Sequence, residues 1–328
     1  MNNTDAVKNA CAWGLIPAVP VPRYYTGQIH AKAQEAYAQY LSEQPIAGAA
    51  VWAHTGRGLH LDRHERKQVL EVWKAALGGQ KLLIAGVGAI PDNRLLGNMK
   101  IRQWERDSLG MAADAIHWGA DALLVFPPAI FKELPPGERD EAIVSYHCKL
   151  SRFGCPLVLF YLYDEAGGVS YSAEVLRELL ALPRTLGIKV ATLDSVMTLQ
   201  DVSTLISAEF PEKLLITGED RMFGYSLMRG ARSALVGLGA AFPGIQHDLM
   251  QAFAEGNFAA FLALSSRVDA YAERTFIQPL DKYILRMLWC LVLSGVIPEE
   301  AAHDIAGYEM TREEIEALRQ VIADQALY

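Results

Sequence analysis

Short apolar runs alternate with stretches of helical period through the first three quarters of this 328-residue chain. The runs are residues 14–21, 47–53, 81–87, 121–126, 156–162, 186–192, 213–217 and 233–239. They are rich in aliphatic residues, as expected of strands buried on both faces. Between them, residues 28–43, 62–77, 101–118, 138–153, 172–182, 199–207 and 220–229 carry a helical period. Eight strands alternating with helices imply parallel βαβ units, and eight is the number that closes a barrel. The expected fold is therefore α/β, a (β/α)8 TIM barrel over residues 1–243. After Phe242-Pro243-Gly244 the strand signal stops. Residues 245–256, 258–274, 280–294 and 312–326 read as the helices of a C-terminal appendage, residues 244–328. The last one opens on Thr311 with Glu313 and Glu314 in its first turn, a helix-start signal.

Lys189 breaks this pattern, because it sits inside the run Leu186-Gly187-Ile188-Lys189-Val190-Ala191-Thr192. An ammonium held away from water there should lose its proton more readily, leaving a neutral amine. A neutral, enclosed amine is what imine formation with a ketone requires. The other reading is a structural lysine that snorkels from a strand end or pairs with an acid. The loops that follow the strands carry His54-Thr55-Gly56-Arg57, residues 161–164 and Gly218-Glu219-Asp220. Barrel sites form at the C-terminal face, so these loops should converge around Lys189.

The formal net charge of −8, with no basic run, argues against nucleic-acid binding. Cys11, Cys148, Cys155 and Cys290 are scattered without a CxxC or a Cys/His cluster. No metal site, disulfide frame or cofactor is therefore expected, and the thiols suit a reducing compartment. No secretory h-region is visible near the start. The longest apolar stretch, residues 283–297, contains Arg286 and is too short to span a bilayer. A cytoplasmic protein with no membrane partner is expected.

Tyr161 ends the fifth run and Lys189 follows 28 positions later on the sixth. With Thr55-Gly56 after the second run, this arrangement resembles the dihydrodipicolinate synthase/N-acetylneuraminate lyase family of class I Schiff-base aldolases and lyases. Gly14-Leu15-Ile16-Pro17 matches that family's opening strand, residues 119–125 its fourth, and Gly187-Ile188-Lys189 its lysine strand. Gly218-Glu219-Asp220 and residues 234–237 also fit. The resemblance implies that Lys189 attacks the ketone of a 2-oxo acid such as pyruvate, giving an imine that stabilises negative charge at C3. It further implies that Tyr161 relays protons and that Thr55 and Gly56 hold the substrate carboxylate through backbone N–H groups. The backbone carbonyl of Leu235 would face the keto acid, and the chain would assemble as a dimer or tetramer.

The chain departs from the family where specificity is set. His54 stands in place of the first of two threonines, and Arg57 in place of a glutamate. Residues 161–164 read Tyr-Leu-Tyr-Asp instead of Tyr-Asn-x-Pro. Ala166 occupies the place of the synthases' substrate-binding arginine, and Ala129-Ile130 that of a tyrosine pair at the subunit contact. The expectation is a lyase or aldolase acting on a 2-oxo acid, and not a true dihydrodipicolinate synthase. His54 would shuttle protons, titrating near neutral pH, or hydrogen-bond within its loop. Arg57 would bind a distal carboxylate or pair with an acid such as Asp62. Tyr163 would join His54 and Arg57 around the aldehyde portion of the substrate. The alternatives are dehydration of a 2-oxo-3-deoxy sugar acid, a non-catalytic 2-oxo acid-binding protein, and a phosphate-binding barrel using Gly237-Leu238-Gly239 and the Gly244 loop. An apolar subunit contact is expected at Ala129-Ile130.

Overall fold

The computed structural model describes residues 3–193 and 195–327. Its eight parallel strands are β1 (Leu15–Pro17), β2 (Gly48–Val51), β3 (Leu82–Val87), β4 (Ala122–Val125), β5 (Leu157–Leu162), β6 (Thr185–Ala191), β7 (Leu214–Thr217) and β8 (Ser233–Val236). They lie in the order β1-β8-β7-β6-β5-β4-β3-β2. At the remaining seam Ala18 pairs with Ala50, and the Val19 N–H donates to the Ala50 carbonyl at 3.1 Å. The result is a nearly closed (β/α)8 barrel. Most strands are shorter than their apolar runs, because the apolar sequence continues into the loops at their C-terminal ends. Trp52 and Ala53, just beyond β2, are still fully buried.

The helices are α1 (Asn3–Cys11), α2 (Ala31–Ser42), α3 (Arg63–Leu77), α4 (Gly97–Trp118), α5 (Pro136–Ser151), α6 (Ala173–Ala181), α7 (Val196–Glu209), α8 (Phe223–Met228), α9 (Pro243–Ala254), α10 (Phe258–Thr275), α11 (Tyr283–Leu293) and α12 (Arg312–Asp324). Both α3 and α12 start on full capping boxes, Asp62 with Glu65 and Thr311 with Glu314. Asp62 is thus a helix cap and not the partner of Arg57. The helix α1 was not expected, since residues 3–11 look polar. It contributes Val7 and Cys11 to the apolar cluster inside the barrel and packs beside β6, closing the N-terminal end.

Strand alternation sends one set of side chains inward and the other toward the helices. Ile16, Ala50, Ile84, Leu124, Val158, Phe160, Ile216 and Leu235 belong to the inner cluster. Leu159, Tyr161, Ile188 and Val190 belong to the outer one. Between β5 and β6 the register slips: Leu157 pairs with Thr185, but Val158 pairs with Gly187. Leu186 is the extra residue, a bulge that reverses the inside–outside parity of β6 beyond it. That reversal turns Lys189 into the barrel opposite Phe160.

After β8 the chain packs α9 against α10 and then crosses back over the barrel mouth. Arg286, the charge within the apolar stretch, is buried and donates to the Thr275 and Ile277 carbonyls at 3.2 and 2.7 Å. It pins the segment between α10 and α11. No helix among the described residues is long and apolar enough to cross a membrane.

Candidate active site

Lys189 is 6% exposed. Its Nζ lies 4.3 Å from the centroid of the Phe160 ring. Burial lowers its pKa to about 8, against the opposing pull of the Asp220 and Glu219 carboxylates. The stem of the lysine needs the absence of a side chain just past the end of β7. A Cβ on Gly218 would stand 2.5 Å from Lys189 Cε. The two acids after Gly218 are fixed by main-chain donors. Glu219 accepts from the Thr192 N–H at 2.6 Å, the Thr192 hydroxyl at 2.8 Å and the Leu193 N–H at 2.8 Å. Asp220 accepts from the Leu238 N–H at 2.8 Å, and burial pushes its pKa up to about 7.

That last bond bears on the phosphate alternative. The Leu238 N–H within Gly237-Leu238-Gly239 is already engaged by the protein's own carboxylate. Gly237 also serves packing, since a Cβ there would lie 2.9 Å from the Tyr283 ring and 3.2 Å from the Thr55 hydroxyl.

Tyr161 is not brought to Lys189. It sits on the helix-facing side of β5, with its ring edge-on to Tyr171 at 5.7 Å. The 28-residue spacing misleads because the bulge at Leu186 makes the residue opposite Lys189 Phe160, one position earlier. Phe160 presents carbon, so β5 offers the amine no phenol.

The turn His54–Gly56 reaches the barrel mouth and meets the C-terminal segment there. Thr55 Oγ1 lies 2.8 Å from the Tyr283 hydroxyl, and His54 Nδ1 lies 3.2 Å from it. Burial lowers the His54 pKa to about 4, although Asp281 pulls it the other way. The imidazole is therefore neutral at pH 7, so the titration near neutrality is not found, and its hydrogen bond runs to Tyr283 and not within its own loop. The Gly56 N–H is not free for a carboxylate, because it donates to the Ala53 carbonyl at 3.0 Å. Leu235 is fully buried beside Ile16, within the inner cluster.

Arg57 holds two acids of the C-terminal segment. Nη1 and Nη2 donate to Asp281 at 2.8 Å each, and Nε donates to Asp304 at 3.0 Å, with Nη2 also reaching Asp304. A guanidinium engaged with two carboxylates is not available to a substrate acid. Its partners are Asp281 and Asp304, not Asp62.

Tyr163 is half-buried and lines a cavity of about 870 Å³ with His54, Ala166, Arg221, Phe276 and Asp281. This cavity covers the C-terminal ends of β5 and β6, where Leu193 also lines it and Lys189 lies deeper along the strand. Sequence reasoning missed Arg221, Phe276 and Tyr283 here, since no local motif marks them. Ile130 is buried within its own protomer, so the apolar subunit contact expected at Ala129-Ile130 would lack that side chain. No group of three or more His, Cys, Asp or Glu side chains suited to a metal ion occurs among the described residues.

A profile of the Dihydrodipicolinate synthetase family matches residues 12–303. The chain belongs to this family. N-acetylneuraminate lyase A of Xenopus laevis is 32% identical over 254 residues, 74% of each chain. A protein of Chloroflexus aurantiacus named an uncharacterized DapA-like lyase is 26% identical over 288 residues, 86% of each. Among solved structures, a prophage protein of E. coli K12 from the dihydrodipicolinic acid synthase family, in complex with pyruvate, superposes with a TM-score of 0.81. That match is 17% identical and covers 96% of this chain and 99% of that one, a likeness of fold. The chain is thus a TIM barrel of a family whose members include lyases.

Proposed function

We propose that this protein is a Schiff-base lyase or aldolase acting on a 2-oxo acid, pyruvate or a sugar acid that releases it, through Lys189. The observation that carries the reading is an enclosed amine, facing into the barrel and kept partly deprotonated by burial. Glu219 and Asp220 set the position and charge around it. We assign the substrate carboxylate to the main-chain N–H of Thr55, which any substitution there keeps, since the Gly56 N–H is engaged elsewhere. Tyr163, His54 and Arg221 would surround the remainder of the substrate in the 870 Å³ cavity. Leu235 would form the inner wall.

The test is pyruvate with borohydride, followed by peptide mass spectrometry. A stable adduct is expected on the peptide that contains Lys189. Only the neutral amine attacks, so the trapping rate should rise as pH passes from about 7 to about 9, through the lowered pKa of about 8. An unperturbed lysine would delay that rise to near 10.5. No adduct at any pH would remove the reading.

Synthesis of dihydrodipicolinate is not expected. Ala166 supplies no guanidinium to the acceptor's carboxylate, and Arg57 is held by Asp281 and Asp304. A missing charge-assisted hydrogen bond costs roughly 1.5–3 kcal/mol. A coupled assay with dihydrodipicolinate reductase checks this with pyruvate and aspartate semialdehyde. Turnover at about 1 per second or faster would overturn the argument from Ala166.

A further inference from the structure

Imine chemistry needs a path for protons, and the barrel strands do not provide the expected one. Phe160 faces Lys189, while Tyr161 faces the helices. A different phenol occupies the mouth. Tyr283, the first residue of α11, is 5% exposed and places its hydroxyl 2.8 Å from Thr55 Oγ1 and 3.2 Å from His54 Nδ1. Its ring is held from several sides. It stacks on Phe276 at 4.4 Å, and Gly237 leaves room where any Cβ would press on it. Two residues before it, Asp281 is gripped by both terminal nitrogens of Arg57. One wall joins this group to the lysine: Gly218 packs on the Lys189 stem, Asp220 two residues on accepts from the Leu238 N–H at 2.8 Å, and the adjoining Gly237 backs both the Tyr283 ring and the Thr55 hydroxyl. A tyrosine placed only to fill space would not need its hydroxyl between two groups that can both take and give a proton.

We infer that Tyr283, together with Thr55 and His54, is the proton relay of the Lys189 site, supplied by the C-terminal segment of the same chain. The inference rests on the lysine–imine reading. In the step it serves, Lys189 Nζ forms a bond to C2 of the 2-oxo acid and the carbonyl π pair moves to oxygen. One proton leaves nitrogen for that oxygen through the Thr55 and Tyr283 hydroxyls. A second proton enters from solvent through the neutral His54 ring, which lines the open cavity and accepts at one nitrogen as the other gives one up toward Tyr283. The oxygen then departs as water, and the imine keeps the remaining N–H. One proton is taken up from solvent overall.

The experiment compares the wild type with Tyr283→Phe, Thr55→Ser and Thr55→Val, using pyruvate throughout. Borohydride trapping reports the imine. Exchange of the pyruvate methyl protons in D2O, followed by NMR, reports turnover of the C3 proton. Tyr283→Phe keeps the ring and its stacking, so it should still yield the adduct at long times and saturate at the same pyruvate concentration. Its trapping and exchange rates should fall by roughly 10²- to 10³-fold, within the usual range of general acid–base help. Thr55→Val should behave alike, and Thr55→Ser, which keeps a hydroxyl, should recover most of the rate. A purely structural role would weaken saturation by pyruvate and would not be restored by serine. Exchange within about threefold of wild type in both Tyr283→Phe and Thr55→Val would overturn the relay. Absence of an adduct in the wild type would instead remove the imine reading itself.

Discussion

Lys189→Met is expected to abolish both turnover and the borohydride-stable adduct, while raising the melting temperature at pH 7. Removing the nucleophile of a covalent route lowers rates on the order of 10⁴- to 10⁶-fold, about 5–8 kcal/mol of barrier. The stability effect has the opposite sign and follows from linkage. The buried amine has a folded pKa of about 8, below its unperturbed 10.5. Burial of the ammonium therefore opposes folding in full below pH 8, and this penalty fades as pH rises from about 8 to 10.5. Methionine fills similar space without the charge and should gain about 1–3 kcal/mol at pH 7, the upper end reduced by loss of the attraction to Asp220. Calorimetry at pH 7 and pH 10 checks the sign, with the gain shrinking at the higher pH. A variant that loses both activity and stability would mark Lys189 as a structural residue.

Arg57→Leu should be among the most destabilising single changes, by roughly 3–5 kcal/mol, the usual result of removing one member of a buried ion pair. The Asp304 side chain is only 3% exposed, and without the guanidinium its carboxylate would be buried and unpaired. Asp281, 38% exposed, can turn to water and contributes less. Urea denaturation should show a lower midpoint with an unchanged slope. Adding Asp304→Asn to Arg57→Leu should recover part of the loss, because the unpaired charge is then gone. Arg57→Lys should rescue incompletely, since one ammonium cannot grip two carboxylates in fork geometry. A loss below about 1 kcal/mol would mean that the contact is solvated and weak.

Much of the barrel was readable because parallel strands buried on both faces leave unbroken apolar runs, and the intervening helices keep their period. Lys189 was readable for the same reason, as a charge where none should be. The fate of Tyr161 was not. Strand parity can be counted along a sequence only while the ladder is regular, and the extra Leu186 changes which residues look inward. Arg57 illustrates a second limit. Its partners lie 224 and 247 residues away, beyond any local pattern, so the nearest acid, Asp62, was the natural guess. Tyr283 is hidden likewise, as one more aromatic at the head of an apolar helix. The helix α1 escaped because only a few of its side chains, Val7 and Cys11 among them, insert into the barrel.

The placement of α1 also dictates an order of events during synthesis. This helix precedes every strand in the chain, yet the β6 residues it packs beside emerge some 180 positions later. Closure of the barrel waits longer still, since Leu15 pairs with Ala234. The Arg57 clasp requires Asp304, which follows the whole barrel in sequence. Pairings this distant in sequence form slowly, after the local βα units have collapsed. On the nascent chain Lys189 is therefore an ordinary, solvated ammonium. Its unusual basicity is acquired only when α1 has returned to seal one end of the barrel and the segment that carries Tyr283 has covered the other.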